Sequence, residues 1–295
     1  MTQRRRGLGI LMVLCAGLAM GGSCGGPPSK PPRLDPLRLY SIGDSITTGF
    51  DSWFVGSNDA VSWVNGFHGF WQNLLGVPDI QSVNQRISAA YGESGRTNFM
   101  AAANGARWDD GVGQTGDVIG EAPTYLTIML GGNDVCRDSI AELPTDAELR
   151  GHVRDTLNVL NNQLPAGATV HVAGIPDVKR LHDVGLAEKG LLGIDCQAIW
   201  ATTALGFPCG SMLSSSNTEA DRLYVQQRNF AYNDIIEEEV AAKDSLSGRV
   251  YFEFTQAEDV VFTGDDISSI DCFHPSSDGQ ALIAELAWSD GPFTP

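Results

Sequence analysis

The chain has 295 residues, 42% of them hydrophobic and 19% charged, and carries a formal net charge of -17. That length can bury one large core, and a single globular domain suits it better than two. The acidic balance argues against nucleic acid as a partner and against electrostatic docking on anionic lipid; its ordinary use is a solvated exterior.

The first element in chain order reads as a leader. Arg4-Arg5-Arg6 is a basic n-region, Gly7 to Met20 an uncharged h-region, and small residues follow, so residues 1–23 are expected to direct export. The 14 uncharged residues fall short of the roughly 18 that suggest a spanning helix. Ala19 to Cys24 resembles a lipoprotein signal, in which Cys24 would be acylated. Gly21 stands where such signals usually carry Leu, so ordinary cleavage near Met20 to Ser23 stays open. Either route takes the protein to the cell envelope or beyond, and membrane contact is expected only through a lipid on Cys24. Losing the three arginines moves the net charge to -20, since no acidic residue precedes Cys24. Residues 24–36 are rich in Gly and Pro and read as a tether or a disordered mature terminus, leaving 37–295 as the domain.

Within that domain, short β-rich runs alternate with helix-like segments, the pattern of a parallel sheet covered on both faces. Strands are predicted at Leu37 to Ser41, Asn98 to Ala103, Tyr125 to Leu130, Thr169 to Ile175 and Val250 to Phe254. Leu149, Val153, Leu157, Leu160 and Leu164 mark one face of a helix, with Thr145 and Glu148 as a capping box at its start. A second long helix is predicted over Glu219 to Ala242. The last runs from about Asp278 to Trp288, with Ser277 and Gln280 as its capping box. Residues 179–218 show no clear strand and read as an inserted specificity loop, a lid or ordinary surface elaboration.

Chemistry-bearing residues fall after the strands. Ser45, in Gly43-Asp44-Ser45-Ile46, follows the first; Gly105 follows the second; Asn133, in Gly131-Gly132-Asn133-Asp134, follows the third; Asp271 and His274 follow the fifth. In open parallel sheets ligands bind at that edge. A serine hydroxyl needs a base, a group that orients the base, and donors for the developing oxyanion. His274 is the candidate base for Ser45, and Asp271, three positions earlier, its orienting carboxylate. The Asn133 amide and the N–H groups of Ser45 and Gly105 are the candidate oxyanion donors. Taken singly each string has a plainer use: a helix-capping turn at Asp44 and Ser45, an Asn-Gly turn at Gly105, a surface turn at Asp271. His171 reads as a strand residue, and His68, His152 and His182 as surface or packing histidines. Trp53, Phe54, Trp63, Phe67 and Trp71 either line an apolar acyl site or belong to core and helix packing.

Besides Cys15 and Cys24 there are four cysteines, which in an exported chain suggest two disulfides with three connectivities. Cys196 with Cys209 would staple one loop, and Cys136 with Cys272 would join two motifs that must converge; that pairing is the expectation, with free buried thiols the alternative. No Cys/His spacing resembles a zinc site and no metal is expected.

These residues resemble the GDSL/SGNH hydrolases, whose Ser, Gly, Asn and His correspond to Ser45, Gly105, Asn133 and His274, with Asp271 completing a triad. The resemblance runs from about Leu37 to Trp288 and is greatest to the phospholipase B-like branch, through Gly43-Asp44-Ser45-Ile46-Thr47-Thr48-Gly49, Thr97-Asn98-Phe99, Gly131-Gly132-Asn133-Asp134-Val135-Cys136 and Asp271-Cys272-Phe273-His274-Pro275-Ser276. Ile46 replaces the name-giving leucine. The resemblance implies a flavodoxin-like α/β/α sandwich with about five parallel strands, no cofactor, and an esterase or lipase acting on a lipid or other small-molecule ester through an acyl-enzyme on Ser45. A carbohydrate acetylesterase of the same fold and a catalytically silent envelope-binding protein are the alternatives.

Overall fold

The computed structural model describes residues 30–201 and 209–294; the expected leader and Cys24 lie outside the described residues. Five parallel strands form one sheet: β1 (Arg38–Gly43), β2 (Thr97–Met100), β3 (Tyr125–Met129), β4 (Thr169–Ala173) and β5 (Tyr251–Thr255), in the spatial order β2-β1-β3-β4-β5. This is the doubly wound order in which the winding reverses between β1 and β3, and the resulting crevice lies at the carboxyl ends of those two strands. Every residue of β3 and β4 is buried, as required of strands covered on both faces, whereas the edge strands β2 and β5 are partly exposed.

Helices α1 (Val83–Tyr91), α2 (Gly111–Ile119), α3 (Asp146–Gln163), α4 (Val178–Gly185), α5 (Glu219–Leu246) and α6 (Ser277–Ser289) complete a three-layer α/β/α sandwich. Helices α2, α3 and α5 pack together in one layer, and α1 packs with α6. The expected apolar stripe of α3 is buried at Leu149, Val153, Leu157 and Leu160, and the predicted capping box is present: Thr145 Oγ1 accepts from Glu148 N–H, while Glu148 Oε2 accepts from Thr145 N–H. Helix α5 begins at its predicted residue but runs four residues further than predicted.

The last helix is capped differently from expectation. Ser276 Oγ accepts from the N–H groups of Asp278 and Gly279, so Ser277 is not the cap and Gln280 is released to turn inward. Of the Gly/Pro-rich stretch, the described residues sit against the domain: Leu34 N–H donates to Gly167 O, Tyr251 Oη–H donates to Pro31 O, and Arg33 pairs with Glu253.

The disulfide pairing also differs. Cys136 bonds Cys209 and Cys196 bonds Cys272, so neither expected pair forms. The segment after Cys209 lies along residues 135–138, with Ser211 Oγ donating to Val135 O and Ser211 N–H to Arg137 O, which brings Cys209 rather than Cys272 to Cys136. Each bridge closes more than 70 residues of chain, 73 and 76 in sequence separation, and loops of that size stabilise a fold by roughly 4 kcal/mol apiece. Peptide mapping without reduction should recover Cys136–Cys209 and Cys196–Cys272 as linked peptides; a Cys196–Cys209 peptide would refute the arrangement.

Candidate active site

Ser45 leaves the sheet at the reversal point. β1 ends at Gly43, where a side chain would stand 2.3 Å from Thr47 Oγ1 and 2.8 Å from Met129 O, so only glycine lets the chain bend this tightly beside β3. The Gly43 peptide is held on both sides by Gln114, which accepts from its N–H and donates to its carbonyl, each at 2.8 Å. Asp44 then folds back so that Oδ1 accepts from Ile46 N–H at 2.9 Å, a turn that fixes Ser45 between two anchored residues.

The residues after β5 bring the base. His274 Nε2 lies 2.9 Å from Ser45 Oγ, and His274 Nδ1 is hydrogen-bonded to Asp271 Oδ2. The other carboxylate oxygen, Asp271 Oδ1, accepts from the N–H groups of Phe273 and His274 at 2.9 and 3.0 Å. All three side chains are buried. Burial opposes charge on both partners, but their mutual attraction and hydrogen bonding outweigh it: the Asp271 carboxyl is held below the ordinary carboxylate value and the His274 imidazole above its own. In this geometry the Nδ1–H faces Asp271, leaving Nε2 to accept the Ser45 proton.

Asn133 sits on the turn after β3. Its Nδ2 donates one proton to Ala106 O at 3.0 Å, which orients the amide and leaves its second proton available. Asp134 Oδ2 accepts from Trp108 N–H at 3.0 Å, so two bonds tie this turn to the loop that carries Gly105. Gly105 is exposed at φ +81°, and Asn104 Oδ1 accepts from Thr48 Oγ1 at 2.6 Å, which tethers the Gly105 loop to the turn bearing Ser45. Among the described residues the N–H groups of Ser45 and Gly105 have no internal acceptor. Asp44 and Asp134 are buried carboxylates beside the site, and desolvation pushes them up to about 7 and about 6 respectively.

Sequence reading missed two contributors. Gln280, read as half of a capping box, instead accepts from Trp63 N–H at 2.9 Å and donates to Ile46 O at 2.9 Å and Ser52 Oγ at 3.2 Å. Ser52 Oγ in turn donates to Pro275 O, so one buried amide joins the Ser45 turn to the residue following His274. Its complete burial in the first turn of α6 is visible only once the packing is known. The apolar wall beside Ser45 is the second: Ile46, Ile175, Pro176, Val178, Leu181 and Phe273 line a cavity of about 30 Å³. None of the five aromatics from Trp53 to Trp71 borders it. Trp63 is buried in the core, and Trp53, Phe54, Phe67 and Trp71 are exposed. His171 does lie in a strand, where it bridges Tyr125 Oη and Thr255 Oγ1, both at 2.8 Å.

The GDSL-like Lipase/Acylhydrolase family matches residues 39–287. Acyloxyacyl hydrolase of Mus musculus is 27% identical over 186 residues, covering 56% of this chain and 32% of that longer protein. Among solved structures, the extracellular lipase of Streptomyces rimosus is 13% identical, with 84% of this chain and 99% of that one covered and a TM-score of 0.47. A catalytic mutant of Axe2, an acetylxylan esterase from Geobacillus stearothermophilus, is 16% identical, with 88% and 95% covered and a TM-score of 0.47. By a family match that spans most of its length, the chain belongs to the GDSL-like lipase/acylhydrolase family of carboxylic ester hydrolases.

Proposed function

We propose that this protein is an exported serine ester hydrolase that works through an acyl-enzyme on Ser45. The observation that carries the reading is the continuous line Ser45 Oγ, His274 Nε2, His274 Nδ1, Asp271 Oδ2. As Ser45 Oγ attacks the ester carbonyl, His274 Nε2 takes its proton, and Asp271 stabilises the imidazolium without accepting the proton itself. His274 then gives that proton to the leaving alcohol, and water repeats the sequence to release the acid. The oxyanion is received by the N–H groups of Ser45 and Gly105 and by the free Nδ2 proton of Asn133. The basic and apolar leader at residues 1–23 and the two disulfides support export.

The apolar lining beside Ser45 favours an acyl group, and a cavity of about 30 Å³ favours a short one. Val178 and Leu181 line it from α4, so their size bears on the chain length accepted. A lipid or lysophospholipid ester is the second reading, supported by the branch resemblance and by the acyloxyacyl hydrolase relative.

Fluorophosphonate should label the purified protein at Ser45, and Ser45→Ala should abolish both labelling and hydrolysis; folded wild type that resists labelling would favour a silent binding protein. Asn133→Ala should lower kcat by about a hundred- to a thousandfold, the loss typical of an oxyanion donor. Because only neutral His274 can accept the serine proton and its pKa is raised, kcat/KM should fall on acidification with a midpoint above the ordinary imidazole value of 6.5. A midpoint below that value would contradict the Asp271 pairing. With p-nitrophenyl esters, acetate and butyrate should be turned over faster than octanoate, and Leu181→Ala should move the preference toward octanoate. Wild type that prefers octanoate would establish the lipase reading over the short-chain one.

A further inference from the structure

The segment between α4 and α5 meets the Asp271 loop through a short helix at Cys196–Trp200. Two contacts from that helix reach adjacent residues of the loop: Cys196 is bonded to Cys272, and Trp200 Nε1–H donates to Asp271 O at 3.2 Å. The indole is seated in a fitted slot. One face stacks on His182, with ring centroids 5.3 Å apart and planes 23° from parallel. Its edge runs beside Gly185, where a side chain would come within 2.8 Å of Trp200 Cζ2 and 2.9 Å of Cys272 O.

What these contacts restrain is unusual backbone. Cys272 has φ +61°, a left-handed conformation that a residue with a Cβ rarely adopts. That conformation curls the chain so that Asp271 Oδ1 faces the N–H groups of Phe273 and His274 while Oδ2 faces Nδ1. The Asp271 carbonyl belongs to the peptide that enters Cys272, so fixing that oxygen and the Cys272 sulfur together restrains the strained residue at its backbone and its side chain.

We propose that Trp200 is a positioning residue for the Asp271–His274 pair, holding through its Nε1–H the turn that aims the Asp271 carboxylate at His274 Nδ1. The proposal rests on the reading of Ser45, His274 and Asp271 as the catalytic triad, and it assigns residues 196–200 a part in positioning the base. The charged groups facing His274 are Asp271, Asp44 and Asp51, and those around the stacked His182 are Asp183, Lys179 and Arg222. None of them replaces the indole proton on the Asp271 carbonyl.

Trp200→Phe in the full chain tests this, because it keeps an aromatic ring in the slot and removes the donor. Kinetics with p-nitrophenyl acetate should show kcat lower by roughly fivefold, the worth of one hydrogen bond, with KM unchanged. The acid limb should also move to lower pH, since a less well aimed Asp271 supports the imidazolium less. In proton NMR the downfield His274 Nδ1–H resonance should shift upfield. A variant that has merely lost stability would unfold at a lower temperature while keeping the wild-type limb and resonance, and that outcome overturns the proposal, as does wild-type kcat. The NMR readout does not require turnover: an inactive wild type whose resonance still shifts in Trp200→Phe would refute the esterase reading and leave the positioning role standing.

Discussion

Burying a carboxylate against an imidazole is favourable only when every lone pair and proton of the two groups has a partner, because desolvation otherwise drives both toward their neutral forms. Asp271 meets that condition with one oxygen on His274 Nδ1 and the other on two backbone N–H groups of its own turn. His274 meets it with Asp271 on one nitrogen and Ser45 on the other. Much of the surrounding architecture serves this constraint. The loop must keep a left-handed residue at Cys272, must stay in register with a serine 229 positions away in sequence, and must do so with side chains shut off from water.

Three separate braces keep that register. The sheet supplies the first: adjacent parallel strands β1 and β3 place the Ser45 turn and the Asn133 turn side by side where the winding reverses. Gln280 supplies the second, reaching from α6 to the carbonyl of Ile46 and, through Ser52, to Pro275. The Cys196–Cys272 bridge is the third and ties the loop to a segment that contributes no strand. These braces come from different parts of the chain, and of the three the Gln280 network is the one that joins the Ser45 turn to the residue after His274.

What could be read from the sequence follows from the range of the interactions involved. Strand positions, the parallel sheet and the Thr145 cap depend on neighbours within a few residues or on a simple alternation, and they were legible. So was the gathering of Ser45, Asn133, Asp271 and His274 at one sheet edge, since each follows a predicted strand. The disulfide pairing was not, because Cys209 finds Cys136 through the way Ser211 packs along residues 135–138, a matter of tertiary packing. Gln280 was misread because Ser277 and Gln280 have the spacing of a capping box; Ser276 one residue earlier does the capping. The aromatics from Trp53 to Trp71 were left open between an acyl site and core packing, because hydrophobicity says only that a side chain avoids water and not which cavity it faces. Ile175, Val178 and Leu181 carried the same signal without a motif beside them.

The two bridges divide the labour of the region between β4 and α5. Cys136 lines the cleft beside Asn133 and is bonded to Cys209, whereas Cys272 lies within the Asp271 turn and is bonded to Cys196. The same stretch of chain is therefore fastened to both lips of the site, one bearing Asn133 and the other Asp271 and His274. Between β4 and the first of these fastenings lies α4, whose Val178 and Leu181 face the cleft and touch neither lip covalently. In the proposed esterase, substitutions on that face would change the space beside Ser45. Substitutions at Cys196 or Trp200 act instead on the Asp271 turn, whose Phe273 and His274 also line the cavity. Gly185 stands at the close crossing between α4, the Trp200 ring and the Cys272 carbonyl, where the two sets of contacts meet.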